Sequence, residues 1–279
     1  MASYFMRFPG DKPKALTLSY DDNVCADVRL VEIMKKHGLK GTFNINSGQY
    51  SPEGSVGDVL HCGHRRLTLR ESQELHRDGT MEIACHGVTH PFLEQLPEPL
   101  CVKEVYEDRL NLERNYGRMV RGIAYPFGTS SDRVVEILKG CGICYARDAE
   151  ATEKFDLPTD WYHWKGTCRH SSPRLMELAK RFAEDKRHWS PMLFYLFGHS
   201  YEFEDSGSWH IIEEFAAYMG GRDDIWYATN IEIYDYVQAF RRLVFSADGR
   251  TAYNPSGTTL FIRTGRGHFA VRPGEYQSI

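Results

Sequence analysis

The sequence predicts an α/β fold: an irregular (β/α) barrel of seven or eight units, followed by a small C-terminal antiparallel β appendage. Over residues 14–240, short apolar runs alternate with amphipathic stretches, which is typical of βα units around a mostly parallel sheet. Over residues 243–273 apolar residues alternate at Leu260 and Ile262 and at Phe269 and Val271, and turn residues such as Asp248-Gly249 separate these stretches. We therefore divide the chain into a barrel, residues 1–242, and a β-rich extension, residues 243–279.

The apolar runs between turn signals are the predicted strands, at residues 14–20, 41–46, 81–85, 121–125, 142–146, 161–164, 191–197 and 225–229. Between them apolar residues recur at helical spacing. The first of these helices is predicted to end before Gly38. Thr68 and Glu71 have the spacing of a capping box, and Ser172-Pro173 is typical of a helix start.

Composition excludes several classes of protein. The 279 residues carry 34 Lys and Arg against 38 Asp and Glu, a net charge of −4, which gives no reason to expect a nucleic acid or a membrane surface as partner. No apolar run approaches the roughly 20 residues of a membrane span, and the first residues lack a secretory core. The 7 cysteines follow no disulfide spacing, so we expect reduced thiols and a cytoplasmic location.

Unusual polar residues follow several predicted strands. Asp21 and Asp22 end the first strand, His86 follows the third, Arg147 ends the fifth and His199 follows the seventh. Because the carboxyl ends of barrel strands meet at one mouth, we expect these side chains to lie together there.

Two histidines and a carboxylate from this group match the ligand set of a divalent cation. In His86-Gly-Val-Thr-His90, one helical turn would place both imidazoles on the same side. With one carboxylate of the Asp21-Asp22 pair they would suit zinc or a similar ion, and the other carboxylate would be a base. The alternatives are a solvated turn with a helix cap at Asp21-Asp22 and two unrelated surface histidines. His199 is either a proton donor or a buried core histidine.

Motifs in register make the chain similar to one family. Four segments of the chain resemble motifs of the polysaccharide deacetylases: Ser19-Tyr-Asp-Asp-Asn23, His86-Gly-Val-Thr-His90, Ala124-Tyr-Pro-Phe-Gly128 and Leu196-Phe-Gly-His-Ser200. The order and strand placement also agree, so over about residues 14–240 the chain resembles carbohydrate esterase family 4, whose catalytic domain is also called the nodulation-deacetylase homology domain.

This resemblance implies a distorted (β/α) barrel that hydrolyses amides with a metal ion. By position, Asp22, His86 and His90 would hold the ion, with zinc expected and cobalt, manganese or nickel as alternatives. The same resemblance makes Asp21 the general base and His199 the general acid. The backbone N–H of Phe127 would hold the oxyanion.

The sequence departs from the family at the position of the motif arginine. Ala124 stands there, and Arg147 at the end of the next strand either supplies the guanidinium that orients Asp21 or forms a structural ion pair. Tyr125, Trp161 and Trp164 are the predicted contacts to the sugar, with core packing as the alternative for the two tryptophans.

The function that follows is hydrolysis of N-acetyl, or O-acetyl, groups on a carbohydrate. Two alternatives stay open: an amidohydrolase of the same fold for a small non-sugar amide, and an inactive carbohydrate-binding homologue. The expected partner is an acetylated carbohydrate, and a homo-oligomer is left open. His61 and His64 are a weaker candidate pair for a second ion.

Overall fold

A computed structural model describes residues 4–55, 64–187 and 189–279. Its strands are β1 (Tyr4–Arg7), β2 (Lys14–Asp21), β3 (Gly41–Ile45), β4 (Glu82–Cys85), β5 (Gly122–Ala124), β6 (Tyr145–Ala151), β7 (Trp164–Gly166), β8 (Cys168–Arg169), β9 (Met192–Gly198), β10 (Ile225–Tyr227), β11 (Val244–Phe245), β12 (Thr251–Tyr253), β13 (Leu260–Thr264), β14 (Gly267–Val271) and β15 (Tyr276–Ser278). Its helices are α1 (Asp27–Lys36), α2 (Leu69–Leu75), α3 (Glu98–Tyr116), α4 (Asp132–Gly140), α5 (Leu175–Glu184), α6 (Tyr201–Asp205), α7 (Trp209–Met219) and α8 (Asn230–Arg241).

The central sheet is parallel and closes on itself. Its strands run in the order β6-β5-β4-β3-β2-β9, and β10 adds to the beginning of β2. β7 pairs with β6 while β8, which follows it directly, pairs with β9, so residues 164–169 complete an irregular barrel. The predicted α/β barrel is therefore confirmed.

Most predicted strands lie within a few residues of their expected bounds, and two are displaced by turns. In the turn after α4, Gly142 has φ 74 and the N–H of Ile143 donates to Leu138 O at 2.9 Å, so β6 begins at Tyr145 rather than at residue 142. Before the second displaced strand, β7, Asp160 Oδ1 accepts from the backbone N–H of Tyr162 at 2.8 Å. This turn delays β7 to residues 164–166.

Of the two predicted helix starts, one is confirmed and the other is wrong. The capping box at Thr68 is present: its hydroxyl accepts from the Glu71 N–H, and the Glu71 side chain accepts from the Thr68 N–H. At the other site, Ser172 Oγ accepts from Arg174 N at 3.3 Å in a local turn, and α5 begins only at Leu175.

The C-terminal strands form two small antiparallel sheets, β1-β13-β14 and β11-β12-β15, and β1 comes from the opposite end of the chain. Leu260, Ile262 and Val271 belong to a buried cluster with Ala15 and Leu193, which lie near the beginnings of barrel strands. The appendage therefore covers the amino ends of the strands and leaves their carboxyl ends to the pocket described below. Among the residues described, no helix is both long enough and apolar enough to cross a bilayer.

Candidate active site

The candidate site lies at the carboxyl ends of the barrel strands because side chains alternate between the two faces of each strand. On β2, Leu18 and Tyr20 pack outward into the core between barrel and helices. Ser19 and Asp21 face inward, where Asn44 Nδ2 donates to Ser19 Oγ at 2.8 Å and to Asp21 Oδ1 at 2.7 Å.

A cavity of about 260 Å³ opens at this end of the barrel. Residues from the ends of several strands line it: Asp21, Asp22, His86, His90, Tyr125, Phe127, Gly128, Arg147, Ala149, Arg169, Phe197, Gly198, His199 and Tyr201. The structure thus brings the predicted acidic pair, the three histidines and Arg147 into one pocket.

Asp22, His86 and His90 converge within this pocket. One carboxylate oxygen and one nitrogen from each ring lie within 4.8 Å of one another. The two Nε2 atoms of the histidines are 3.1 Å apart, and His86 Nδ1 lies 2.8 Å from Ala124 O. A proton on Nδ1 shared with this carbonyl leaves the Nε2 lone pair of His86 directed at the pocket.

The chain between the two histidines is a loop, so the predicted helical turn is wrong. Gly87 and His90 both have left-handed backbone conformations, with φ of 76 and 60. In this loop, backbone turns rather than helical periodicity bring the two rings together.

The donor set fits a divalent cation of zinc type. Burial lowers the pKa of His86, and burial together with the neighbouring His86 lowers that of His90 to about 4. Both imidazoles are therefore neutral at neutral pH, which is the form that ligates metals, and two imidazoles with one carboxylate suit zinc and its neighbours.

Asp21 is held by partners on both carboxylate oxygens. Asn44 donates to Oδ1, and Arg147 Nη2 donates to Oδ2. Burial raises the pKa of Asp21, but the charges of Arg147, His86 and His199 outweigh it, so the net pKa lies well below its ordinary value. Asp21 is therefore ionised at neutral pH.

Arg147 reaches Asp21 from the strand next to Ala124. In the parallel pairing of β5 with β6, Ala124 and Arg147 are register partners. The guanidinium of Arg147 therefore reaches the Asp21 carboxylate although its backbone lies one strand further along the barrel than Ala124. Arg147 is 4% exposed and also packs over the ring of Phe197.

His199 faces the aspartates from the opposite wall. Its Nε2 lies 3.7 Å from Asp21 Oδ2 and 3.8 Å from Asp22 Oδ2, while Nδ1 lies 2.8 Å from Glu202 Oε1. Burial lowers the pKa of His199, but the hydrogen bond to Glu202 and the two aspartates outweigh it and raise the net value.

Phe127 has a left-handed backbone, with φ 59 and ψ 2, which is rare for a bulky residue. Its ring is 52% exposed and stacks on Phe92 with centroids 3.9 Å apart. Tyr125 also lines the pocket but is buried, and its hydroxyl donates to Tyr162 O at 2.9 Å. Of the described aromatic side chains that line the pocket, that of Phe127 is therefore the most exposed.

Comparison with known proteins identifies a family for about half of the chain. Residues 9–146 match the family model described as polysaccharide deacetylase. The chain carries a polysaccharide deacetylase domain. The match includes Asp21, Asp22, His86 and His90, and it ends one residue before Arg147. No curated protein matches the sequence significantly.

Solved structures of similar fold cover from 48% to 84% of the chain. A Mycobacterium smegmatis protein described as a polysaccharide deacetylase is 16% identical over 84% of this chain and 93% of its own, with a TM-score of 0.58. A Bacillus anthracis family 4 pseudoenzyme is 18% identical over 81% of this chain and 66% of its own, with a TM-score of 0.50. A Streptococcus pyogenes deacetylase in complex with acetate is 22% identical over 48% of this chain, with a TM-score of 0.42, and this chain spans 55% of that protein.

The two tryptophans predicted to contact a sugar do not line the candidate pocket. Trp161 is 7% exposed and Trp164 is 1% exposed, and both belong to the buried cluster at the other end of the barrel. Their rings meet edge to face at 4.9 Å, and Trp164 also packs on Tyr195 inside the barrel. The alternative of core packing is therefore correct for both.

The sequence analysis did not predict several polar residues of the candidate site. The alternation Thr42-Phe-Asn44-Ile-Asn46 was a visible signal, since it marks a polar inward face on β3. Glu202 lies three residues after His199, which is a helical spacing. Arg66 hydrogen bonds to Asp22 from 44 positions away and carries no local signal.

The suggested second pair of metal ligands is only partly covered, because His61 lies outside the described residues. His64 is described, and its Nε2 lies 2.7 Å from Asp205 Oδ1.

Proposed function

We propose that this protein is a divalent-metal-dependent hydrolase that removes N-acetyl groups from a carbohydrate. The observation that carries the proposal is the convergence of Asp22, His86 and His90 within 4.8 Å, in the same pocket as Asp21 and His199. Metal-assisted amide hydrolysis requires a set of metal ligands, an ionised carboxylate and a histidine.

Asp22, His86 and His90 would hold the cation. When bound, it would act as a Lewis acid on the acetyl carbonyl and lower the pKa of the hydrolytic water. Zinc suits this donor set, with cobalt, manganese and nickel as alternatives.

The remaining groups divide the proton transfers between them. Asp21, ionised and held by Asn44 and Arg147, accepts a proton from the hydrolytic water. His199 faces it across the pocket with Nδ1 against Glu202, so that protonated Nε2 can give a proton to the leaving amine. The left-handed backbone of Phe127 supports a role for its N–H as an oxyanion donor, because strain of this kind concentrates at functional sites.

The substrate class rests on the surface next to the pocket. The Phe127 ring, stacked on Phe92, presents an exposed apolar face there, and aromatic faces pack well on the apolar side of a sugar. A small non-sugar acetamide is the second candidate, because the cavity of about 260 Å³ has room for a substrate of that size. One structural neighbour is described as a pseudoenzyme, so the fold alone does not establish turnover.

Acetate release tests the proposal. Metal-reconstituted protein is assayed on a panel of N-acetylated mono-, oligo- and polysaccharides, O-acetylated polysaccharides and small acetamides, with chelator-treated protein as control. We expect release from N-acetylated sugars that stops on chelation and returns with zinc. Release from small acetamides alone would favour the second candidate. Binding of acetylated sugars without release, with metal present, would instead identify an inactive homologue.

A further inference from the structure

Two buried polar side chains, Arg66 and Asn46, connect the turn that carries Asp22 with the turn that carries His86. Arg66 is 2% exposed and Asn46 is 1% exposed. Arg66 Nη1 donates to Asp22 O at 2.6 Å and to Asn46 Oδ1 at 2.9 Å, and Nη2 donates to Asp22 Oδ1 at 3.0 Å. Asn46 Nδ2 donates to His86 O at 2.5 Å and to Gly87 O at 2.9 Å. One continuous hydrogen-bonded path therefore runs from the Asp22 carboxylate to the His86 backbone.

The Asp22 turn needs such support because its backbone is strained. Asp22 and Asn23 have φ of 80 and 54, in the left-handed region that is unfavourable for residues other than glycine. The segment at residues 65–67 runs beside this turn: Leu67 N–H donates to Asn23 O at 2.8 Å and Cys25 N–H donates to Arg65 O at 3.0 Å. This pairing delivers the Arg66 side chain to the interior of the turn.

We propose that Arg66 and Asn46 are positioning residues of the cation site. Arg66 holds Oδ1 of Asp22 and thereby sets the rotation of the Asp22 carboxylate. Asn46, which bonds to both Arg66 and the His86 turn, sets the distance between that carboxylate and the His86 turn. This inference rests on the proposed function, because it takes Asp22, His86 and His90 as the ligands. Groups that orient metal ligands are typically worth 10- to 100-fold in metal affinity.

Charge and geometry at Arg66 act in opposite directions, which makes them separable. A cation beside the ligands weakens binding of a second cation, so loss of the charge alone would tighten it. Loss of the fork that holds Asp22 would weaken binding. Lysine keeps the charge but has no planar fork, so Arg66→Lys changes geometry alone, whereas Arg66→Met removes both.

The experiment is calorimetric titration of metal-free protein with Zn²⁺ under chelator competition. We expect Arg66→Lys and Arg66→Met to bind roughly 10- to 100-fold more weakly than wild type. Arg7→Lys is the matched control, since Arg7 is also buried and paired with an aspartate but lies on β1. Unchanged or tighter binding by Arg66→Lys, which keeps the charge, would overturn the inference.

A second variant covers the case in which Arg66 variants fail to fold, as judged by thermal unfolding. Asn46→Asp replaces the group that donates to His86 O and Gly87 O by a carboxylate that repels both, while its negative charge by itself would tighten cation binding. Weaker binding by folded Asn46→Asp supports the positioning role, and equal or tighter binding contradicts it. If the wild-type protein binds no Zn²⁺, both the cation site of the proposed function and this inference are wrong. If the wild-type protein binds Zn²⁺ and the variants bind it equally well, only this inference is wrong.

Discussion

Asp21 and Asp22 are neighbours in sequence, yet their side chains have different surroundings. Asp21 faces into the barrel, where Arg147 and Asn44 hold it. Asp22 has a left-handed backbone and is held by Arg66. The reversal of the chain after β2 thus turns two adjacent carboxylates towards different partners, which is the division of labour that a base and a ligand need.

Asp21→Asn tests this division at the scale of one residue. The amide keeps the size of the side chain but cannot take a proton from water, so we expect acetate release to fall by about 10²- to 10⁴-fold. Zinc content, measured by elemental analysis, stays at the wild-type level because Asp22, His86 and His90 are intact. Asp224→Asn is the matched control: Asp224 also pairs with a cation, Lys14, but lies outside the pocket. Undiminished release by Asp21→Asn would remove Asp21 from the base role.

Strand register explains how the site keeps a guanidinium although Ala124 replaces the motif arginine. Ala124 on β5 and Arg147 on β6 are register partners in a parallel pair, so their side chains leave neighbouring strands at the same height. The position of the guanidinium therefore depends on the pairing of two strands rather than on one motif.

An exchange between the two strands tests this explanation. Arg147→Ala leaves Asp21 without its cation, and we expect kcat to fall by roughly 100-fold, as misplaced reacting groups do. Adding Ala124→Arg to that variant returns a guanidinium to the pocket and is expected to recover part of the loss. Arg121→Ala is the control, because Arg121 forms an ion pair with Asp235 away from the pocket. No recovery in the double variant would mean that the two positions are not equivalent.

The first turn of α1 carries a buried carboxyl whose protonation is linked to stability. Asp27 is 0% exposed, and its Oδ1 accepts from Ser200 Oγ at 2.6 Å. Burial raises the pKa of Asp27 from 3.8 to about 8. The folded protein therefore keeps a proton that the unfolded chain releases, and the free energy of unfolding falls as pH rises between about 4 and 8.

Asp27→Asn removes this pH dependence because the amide resembles the neutral acid and does not titrate. We expect the free energy of unfolding of wild type to decrease more than that of the variant between pH 5 and pH 8, by up to about 1.4 kcal/mol per pH unit. Chemical denaturation at several pH values measures the difference. Glu82, whose pKa burial raises to about 7, titrates in both proteins and cancels. Asp78→Asn is the control, since the hydrogen bond from Lys35 lowers the pKa of Asp78 to about 2. Parallel pH curves for wild type and Asp27→Asn would contradict the assignment.

At the scale of the whole molecule, the two ends of the chain meet beneath the barrel. β1 pairs with β13, with Met6 opposite Ile262. Ile262 is 0% exposed and belongs to the same buried cluster as Ala15 of the barrel. Residues 243–279 thus share a core with the barrel, and the proposed boundary at residue 242 separates two parts that stabilise each other.

Ile262→Ala measures this shared core. A large-to-small change at a fully buried position is expected to cost about 2–5 kcal/mol of the free energy of unfolding of the whole protein, in a single transition. Val244→Ala is the control, because Val244 is 57% exposed and surface changes cost about 0.5 kcal/mol or less. A separate early transition in Ile262→Ala, with the main one unmoved, would show instead that the appendage unfolds independently of the barrel.

The features that local sequence encodes were the ones predicted well. Alternation of apolar and polar residues, the capping box at Thr68 and the placement of polar residues after strands led to the barrel and to a pocket containing Asp21, Asp22, His86, Arg147 and His199. The pattern His-x-x-x-His was interpreted as helical, but glycine and left-handed residues in the intervening loop bring the rings together by another route.

Contacts between distant segments could not be obtained in this way, because they depend on register and on how the barrel closes. Arg66 contacts Asp22 across 44 positions, β13 pairs with β1 from the opposite end of the chain, and Trp164 packs on Tyr195 inside the barrel. Periodicity specifies which face of a strand is buried, and thus where the reactive groups gather. Which polar partner then reaches each of those groups is settled by packing in three dimensions, where the cost of burying an unpaired charge selects the partner.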